Sequence, residues 1–285
     1  MSGAIKELSH KINVLKKTER IIHVTEISTL SKIGKLLKQA EIAVSYQQTV
    51  LKTLQQVRAG FSMLEDEQRS QPVVVFVTSN RGFCGAYNQN VFKQFDAYIA
   101  NNPQTKVIVI GKYGYRYALK QNCEVIKFID EPIEEVTLEK VAELTSEILY
   151  NLSIGIFDSI HCIFTQYIDA LNNEVKSMKL YPYSSEELSA TEYDVDNGVL
   201  DFEEDEELIE KLLIENYLCG LLYSILLYSV ASEYSARRIA MKAAKDSVEE
   251  KLQESIQMKK KSTLHQKTNE LFDIITSAGA LEEES

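Results

Sequence analysis

The sequence predicts an α+α/β architecture: a long antiparallel coiled coil of N- and C-terminal helices, with an inserted Rossmann-like three-layer α/β domain between them. Three observations carry this. They are the placement of proline and glycine, the apolar period of the two arms, and the alternation of β-branched runs with helical segments in the centre.

All four prolines, Pro72, Pro103, Pro132 and Pro182, lie in the middle of the chain. A ring that removes a backbone donor and clashes with the preceding turn is expelled from long helices, so the proline-free flanks read as helical arms. Glycine agrees: Gly82, Gly85, Gly111, Gly114, Gly155 and Gly198 fall centrally. The division that follows is 1–68 for the first arm, 69–204 for the insertion with its acidic connector, and 205–285 for the second arm.

Stepping alternately three and four residues from Ile5 to Leu64 visits eighteen positions, of which fourteen are apolar. That is a heptad seam over about sixty residues, or ~90 Å of helix. A rod of this length needs a partner, and the second arm supplies one. Its apolar content is dense through residue 231, narrows to a stripe at Val248, Leu252 and Ile256, and is interrupted by QMKKKST. The stripe is expected to resume at Leu264, Leu271, Ile275 and Ala278, with Gly279 as the terminator.

In the centre, VVVFVTS (73–79) and KVIVIG (106–111) are unbroken runs of the kind buried on both sheet faces. Helices are expected at 91–102, 113–122 and 137–152, further strands at 123–129 and 159–168, and a fifth strand at 174–183. The tract SSEELSATEYDVDNGVLDFEEDEE reads as a solvated acidic connector rather than a calcium loop, because DVDN at 194–197 lacks the glycine spacing and closing glutamate.

Composition excludes several classes. With 45% hydrophobic and 26% charged residues the chain has material for a core. Its net charge of −11 repels phosphate backbones, so no nucleic-acid partner is expected. Cys84, Cys123, Cys162 and Cys219 form no C-x-x-C pair, which fits reduced thiols in a cytosolic compartment. The opening residues resemble neither a secretory signal nor a transit peptide. YLCGLLYSILLYSVA, residues 217–231, spans only ~22 Å as helix against a hydrocarbon core of ~30 Å, so a packed helix is expected and no direct membrane span.

Two segments stand out chemically. TSNRGFCGAYN (78–88) follows a strand and enters a helix, where phosphate-cradling loops occur, yet Gly82 and Gly85 match neither standard glycine spacing. The residues leave open a nucleotide loop, a tight turn whose glycines permit positive φ with Arg81 facing a partner, and Cys84 as a nucleophile or as a small packed thiol. SEYSARRIAMKAAKDS (232–247) narrows one helix face with Ser235, Ala236 and Ala240 and carries Arg237, Arg238 and Lys242 elsewhere. His10, His23, His161 and His265 are scattered. No catalytic, cofactor-binding or metal site is assigned.

Together with the opening KELSHKINVLKKTERI and the Ser31-Lys32 pair, these segments resemble the gamma subunit of F-type ATP synthases, the central rotating stalk. TSNRGFCGAYN resembles that family's D-R-G-L-C-G-x-x-N, with Asn80 for the acidic residue. SEYSARRIAMKAAKDS resembles S-E-x-x-A-R-M-x-A-M-K-x-A-x-x-N, with Arg238 for methionine and Ser247 for asparagine; ELFDIITSAGAL is similar to the family's ending. The family's N-K-A-R-Q, whose Arg and Gln engage a beta-subunit loop, is replaced by Lys260, Lys261, Ser262, Thr263 and Leu264, and the acidic total is unusual, which marks a divergent member.

The resemblance implies a non-catalytic rotor subunit that couples rotation to ATP synthesis or hydrolysis in an alpha/beta hexamer, and that needs no cofactor. It implies alpha and beta ATPase subunits as partners, with an epsilon-type subunit and a membrane ring in a full synthase. It places the chain peripherally on the cytoplasmic side of the membrane. Matching positions give the partner-contact candidates: Glu26 and Lys32 in the first arm, Arg81, Gly82, Cys84 and Asn88 in the centre, and Glu233, Arg237, Met241 and Lys242 in the second arm. Two other classes stand beside this one: a coiled-coil scaffold of the same fold without rotary coupling, and a nucleotide-dependent enzyme built on the α/β centre.

Overall fold

The computed structural model describes residues 2–58, 71–131, 135–182 and 206–283. The seam positions Phe61 and Leu64 and the acidic connector with its DVDN tract lie outside the described residues. In chain order the elements are α1 (Ser2–Arg58), β1 (Pro72–Val77), α2 (Tyr87–Asn101), β2 (Lys106–Ile110), α3 (Lys112–Lys120), β3 (Glu124–Ile129), α4 (Leu138–Ser153), β4 (Ser159–Tyr167), β5 (Asn173–Tyr181) and α5 (Glu206–Glu283). Two compact units result: Thr29–Arg237, and Met1–Ser28 with Arg238–Ser285.

The larger unit is built on a five-stranded sheet of order β3-β2-β1-β4-β5. The first four strands run parallel and β5 returns antiparallel to β4. Alternation along β1 sorts the layers. Val74 and Phe76 point to one face, where they meet Val91, Phe92 and Phe95 of α2 and Ala118 of α3; Phe76 stacks on Phe95 at 4.1 Å. Val73, Val75 and Val77 point to the other, toward Val141, Leu144 and Ile148 of α4 and Leu218, Leu222 and Ile225 of α5. All six residues of β1 are buried, as a central parallel strand covered by helices requires. The strand stops at Val77, so Thr78 and Ser79 belong to the loop that follows.

Within this unit α1 lies along α5. The Tyr46 hydroxyl donates to Asn216 Oδ1 at 3.1 Å, Ala40 and Ala43 cluster with Leu227, and Lys32 Nζ reaches the Tyr234 hydroxyl at 3.4 Å. As numbers fall on one helix they rise on the other, so the contacts run antiparallel. The positions reached by three-four stepping from Ile5 to Leu54 are all buried or half-buried. Thr29, a polar residue in that series, is 3% exposed.

By length and composition one helix among the described residues is apolar enough to cross a membrane, and its window falls in Leu208–Thr276. Packing explains its apolarity: from Tyr217 to Ala231 every residue except Tyr223 and Tyr228 is buried. Leu218, Leu222, Ile225 and Val230 lie in the core shared with the sheet and α4, each such side chain contributing about 1.5–3 kcal/mol on burial.

In the smaller unit two expectations are corrected. Leu264, Leu271 and Ile275 do not resume an inward stripe; they are 67%, 60% and 66% exposed. After Leu252 the buried or half-buried positions include Ser255, Ile256, Lys259, Ser262, Thr263, Gln266 and Asn269. Ser255, Lys259, Ser262, Gln266 and Asn269 continue the three-four step from Leu252, so the shielded face follows helix phase rather than local apolar content. Gly279 does not end the helix either, because α5 runs to Glu283. An intrahelical ladder already in progress tolerates a glycine at a cost of about 1 kcal/mol.

One glycine between β2 and α3 is fixed by contact. Gly111 has φ +104, and a Cβ there would fall 2.2 Å from the Thr78 carbonyl oxygen. Thr78 ties the two chain segments, donating from its amide and its hydroxyl to the Ile110 carbonyl and accepting from the Gly114 amide. Gly111→Ala is therefore expected to cost more than about 3 kcal/mol or to prevent folding. Gly34→Ala, mid-helix with nothing within 4 Å of the added methyl, is expected to add about 0.5–1 kcal/mol. Urea unfolding followed by circular dichroism compares the two, and equal small effects would contradict this packing.

Candidate functional site

In an open parallel sheet the natural ligand crevice lies beyond the carboxyl ends of the strands where the connections switch direction. Here that point is between β1, which leads through α2 to β2 on one side, and β4 on the other. The segment 78–88 forms its floor. Ser79 donates its amide to Asn88 Oδ1 at 3.1 Å, and Asn88 Nδ2 returns to Ser79 Oγ at 2.7 Å and to Cys84 Sγ at 3.4 Å. Ser79 Oγ also donates to the Arg81 carbonyl at 3.0 Å. Asn88, in the first turn of α2, thus closes the loop back onto the end of β1.

Asn80 has a separate task. Its Nδ2 donates to the Glu131 carbonyl at 2.6 Å and its Oδ1 accepts from the Lys112 amide at 2.7 Å. An amide can do both; a carboxylate here could only accept. The replacement of an acidic residue at this place therefore has a structural counterpart.

Helix α5 fills the crevice. Ser232 Oγ donates to the Thr165 carbonyl at 3.3 Å and Ser235 Oγ to the Ala170 carbonyl at 2.8 Å. The Tyr87 hydroxyl donates to the Ser229 carbonyl at 3.2 Å. Small residues let the helix approach this closely, which is the structural use of the Ser-rich stretch. One turn further, Arg237 donates from Nε to the Gly82 carbonyl and from Nη2 to the Arg81 carbonyl, both at 3.3 Å. It also forms an ion pair with Glu233, the side chains being 7% and 4% exposed. Two cations approach the Tyr234 ring, Lys32 Nζ at 5.4 Å and Arg237 Cζ at 5.8 Å from its centre.

The energetics are those of a buried, fully engaged pair. Desolvating both charges is costly, and the attraction offsets it only if the remaining hydrogen bonds are satisfied. Two loop carbonyls supply that satisfaction for Arg237. The loop in turn is held by the guanidinium, so the pair and the loop depend on each other.

The glycines of 78–88 do not divide the work as expected. Gly85 has φ +58, whereas the other positive φ in this loop belongs to Phe83 at +63. For a bulky residue that conformation costs of order 1–3 kcal/mol. Gly82 serves a contact instead, since a Cβ there would lie 2.8 Å from the Tyr113 hydroxyl.

Of the residues singled out from sequence, Arg81, Gly82, Cys84, Asn88, Glu233 and Arg237 meet around this loop. Arg81 is exposed and Gly82 half-buried, while the other four are buried. Lys32, exposed, joins them through Tyr234. Glu26 and Met241 are half-buried and buried in the smaller unit, and Lys242 is exposed there. Sequence reading passed over Ser79, Tyr87, Tyr234 and Phe83. The aromatic inside SEYSAR was the available signal for Tyr234, and nothing local marked Phe83.

Cys84 is not placed as a nucleophile. It is 3% exposed, and burial foremost pushes its thiol above the ordinary value, away from thiolate at neutral pH. Among the described residues no group of three or more His, Cys, Asp or Glu side chains is arranged to hold a metal ion. A cavity of about 400 Å³ beside α4 has Lys127 and Lys140 on its rim, but these pair with Glu147 and Glu131.

In the larger unit one long helix, α5, fills the ligand crevice of a doubly wound sheet domain, so this α/β fold is a body to be held rather than a pocket to be filled. A family model described as ATP synthase matches residues 4–281, and the chain belongs to that family, the gamma subunits. Among solved structures it is similar to a chain of the Euglena gracilis mitochondrial ATP synthase, OSCP/F1/c-ring in rotational state 3, with TM-score 0.72 and 18% identity over 99% of this chain and 95% of that one. A second Euglena gracilis structure, of the rotor in rotational state 1, gives TM-score 0.64 and 17% identity over 92% and 98%. The central stalk and c-ring of the Tetrahymena thermophila mitochondrial ATP synthase gives 0.60 and 18% over 79% and 99%. At these identities the likeness is one of fold.

Arg237→Met is expected to destabilise the chain by about 3–5 kcal/mol, since it leaves the Glu233 carboxylate buried without its partner. Adding Glu233→Gln should recover part of that loss, and a double mutant as unstable as the sum of both singles would contradict a coupled pair. A second outcome concerns the thiols. Burial raises both thiols, but only Cys84 has its sulfur covered, so Cys84 should react with iodoacetamide at pH 8 more slowly than half-buried Cys123. Peptide mass spectrometry reads the order, and first labelling at Cys84 would contradict the burial.

Proposed function

We propose that this chain is the gamma-type rotor subunit of an F-type or F-type-like ATPase, a non-catalytic axle that couples its own rotation to nucleotide turnover in an alpha/beta hexamer. In this reading the arms 1–68 and 205–285 wind into an antiparallel coiled coil, and 69–204 forms a collar facing an epsilon-type subunit and a membrane ring. The observation that carries it is the family match over 4–281. The antiparallel order of the contacts from Tyr46–Asn216 to Lys32–Tyr234 supports the axle. Four free thiols fit a reducing face of the membrane, read as the cytoplasmic one, where the subunit would be peripheral.

The mechanism follows from asymmetry. A shaft presents a different face to each surrounding subunit, and each face stabilises a different open or closed state, hence a different nucleotide affinity. By linkage, nucleotide binding and hydrolysis in sequence favour successive shaft orientations. Arg81, Glu26, Lys32 and Lys242 are proposed to meet the hexamer or its associated subunits, with buried Met241 supporting Lys242 from beneath. Cys84, Asn88, Glu233 and Arg237 are proposed to act on those contacts from beneath, by holding the loop that carries Arg81 and Gly82. Where the family has its Arg-Gln pair this chain has half-buried Thr263 and exposed Leu264, just after exposed Lys260 and Lys261, so it would engage its neighbour there by apolar contact and adjacent charge.

Purifying the native complex through a tag on this chain tests the proposal. Alpha- and beta-type ATPase subunits are expected to co-purify, and removal of the chain is expected to abolish ATP-driven ion movement in vesicles. Co-purification without any effect of removal would instead indicate the scaffold reading, and recovery of no ATPase subunit would exclude the rotor.

A further inference from the structure

We infer that the recess at the carboxyl ends of β2 and β3 is a binding site for a small lipophilic amine, an apolar body carrying one cationic head. The crevice between β1 and β4 is filled by α5, but this recess lies toward the β3 edge of the sheet and holds about 400 Å³. That volume is within the range of small organic ligand sites.

The floor is apolar and already built. Ile110 at the end of β2, Val141 and Leu144 of α4 and Leu226 of α5 are each at most 3% exposed, and all four belong to the core beneath the sheet. Half-buried Ile129 and Val136 form the walls. No Ser, Thr, Asn, Gln or His lines the recess. A sugar or a nucleotide would lose water there without replacement, whereas a hydrocarbon or aromatic body would not.

Charge is confined to the mouth, and its balance gives the sign of the head group. Lys127 pairs with Glu147, Lys140 with Glu131, and Asp130 with Lys112. Both lysines at the mouth are thus answered, and an anionic ligand would have to displace a carboxylate to reach either. The N-terminus of α4, which would also favour an anion, carries Thr137 as its cap and Glu139 in its first turn. Glu143 is exposed at the mouth and has no ion-pair partner among the described residues. One negative charge is left over. From Asp130 to Glu143 the chain carries six acidic residues against one lysine, which draws cations to this end of the sheet.

The inference goes beyond the rotor reading and stands apart from it, since the purified full-length chain carries the recess. Three fluorescent probes with a common dansyl body test it: cationic dansylcadaverine, neutral dansylamide and anionic dansylglycine. Dansylcadaverine is expected to saturate with rising emission, to bind about fivefold tighter than dansylamide, the scale of an exposed ion pair, and to raise the melting temperature of the chain. Dansylglycine should bind weakest. Glu143→Gln should bring the cation to the affinity of the neutral probe and leave dansylamide unchanged. Val136→Phe, which puts a ring into the recess, should weaken all three probes by about tenfold or more; its melting curve shows whether it folds, and the surface variant at Glu143 decides the matter if it does not. Dansylcadaverine that fails to saturate, that binds no tighter than dansylglycine, or that keeps its affinity in either folded variant would overturn the site. None of these outcomes bears on the rotor, which co-purification decides.

Discussion

The structure turns on the lodging of helix α5 in the crevice beyond β1 and β4, closed by the buried Glu233–Arg237 pair. A doubly wound sheet ordinarily keeps this crevice for a ligand. Here Ser232, Ser235 and Arg237 spend its hydrogen-bonding groups on main-chain carbonyls of the sheet domain itself. The same helix, a few turns earlier, supplies Leu218, Leu222 and Ile225 to the core beneath the sheet. One element therefore serves as core, stopper and clamp.

Rigidity is the functional consequence. Apolar packing holds the helix to the sheet but is indifferent to small slides along it, whereas a guanidinium bonded to two carbonyls and a carboxylate fixes one position. A part that transmits force benefits from both, strength from the first and registration from the second. Membership of the ATP synthase gamma-subunit family gives such a device an evident use, because a rotor whose collar shifts against its helix dissipates the work passed through it.

Much of the fold could be read from sequence because its signals are local. Val73–Val77 and Val107–Ile110 are apolar, mostly β-branched runs of the kind a doubly covered strand carries, and the apolar series from Ile5 to Leu54 states its own period. The site was half legible. The motifs around Cys84 and Arg237 were visible as unusual, but their partnership was not, since more than 150 residues separate the guanidinium from the carbonyls it holds. Phe83 reads as an ordinary loop residue until its φ and exposure are known. At the end of α5 the local signal pointed the wrong way: Leu264, Leu271 and Ile275 look like a core stripe, yet helix phase leaves them exposed.

The central claim is that this chain turns as an axle. The most direct measurement immobilises the purified complex by its hexamer, attaches a probe through a cysteine introduced at exposed Lys120 on α3, and records single molecules during ATP hydrolysis. Unidirectional stepping of the probe that stops when ATP is withdrawn is the predicted result. A probe that stays fixed while ATP is hydrolysed at full rate would contradict the account.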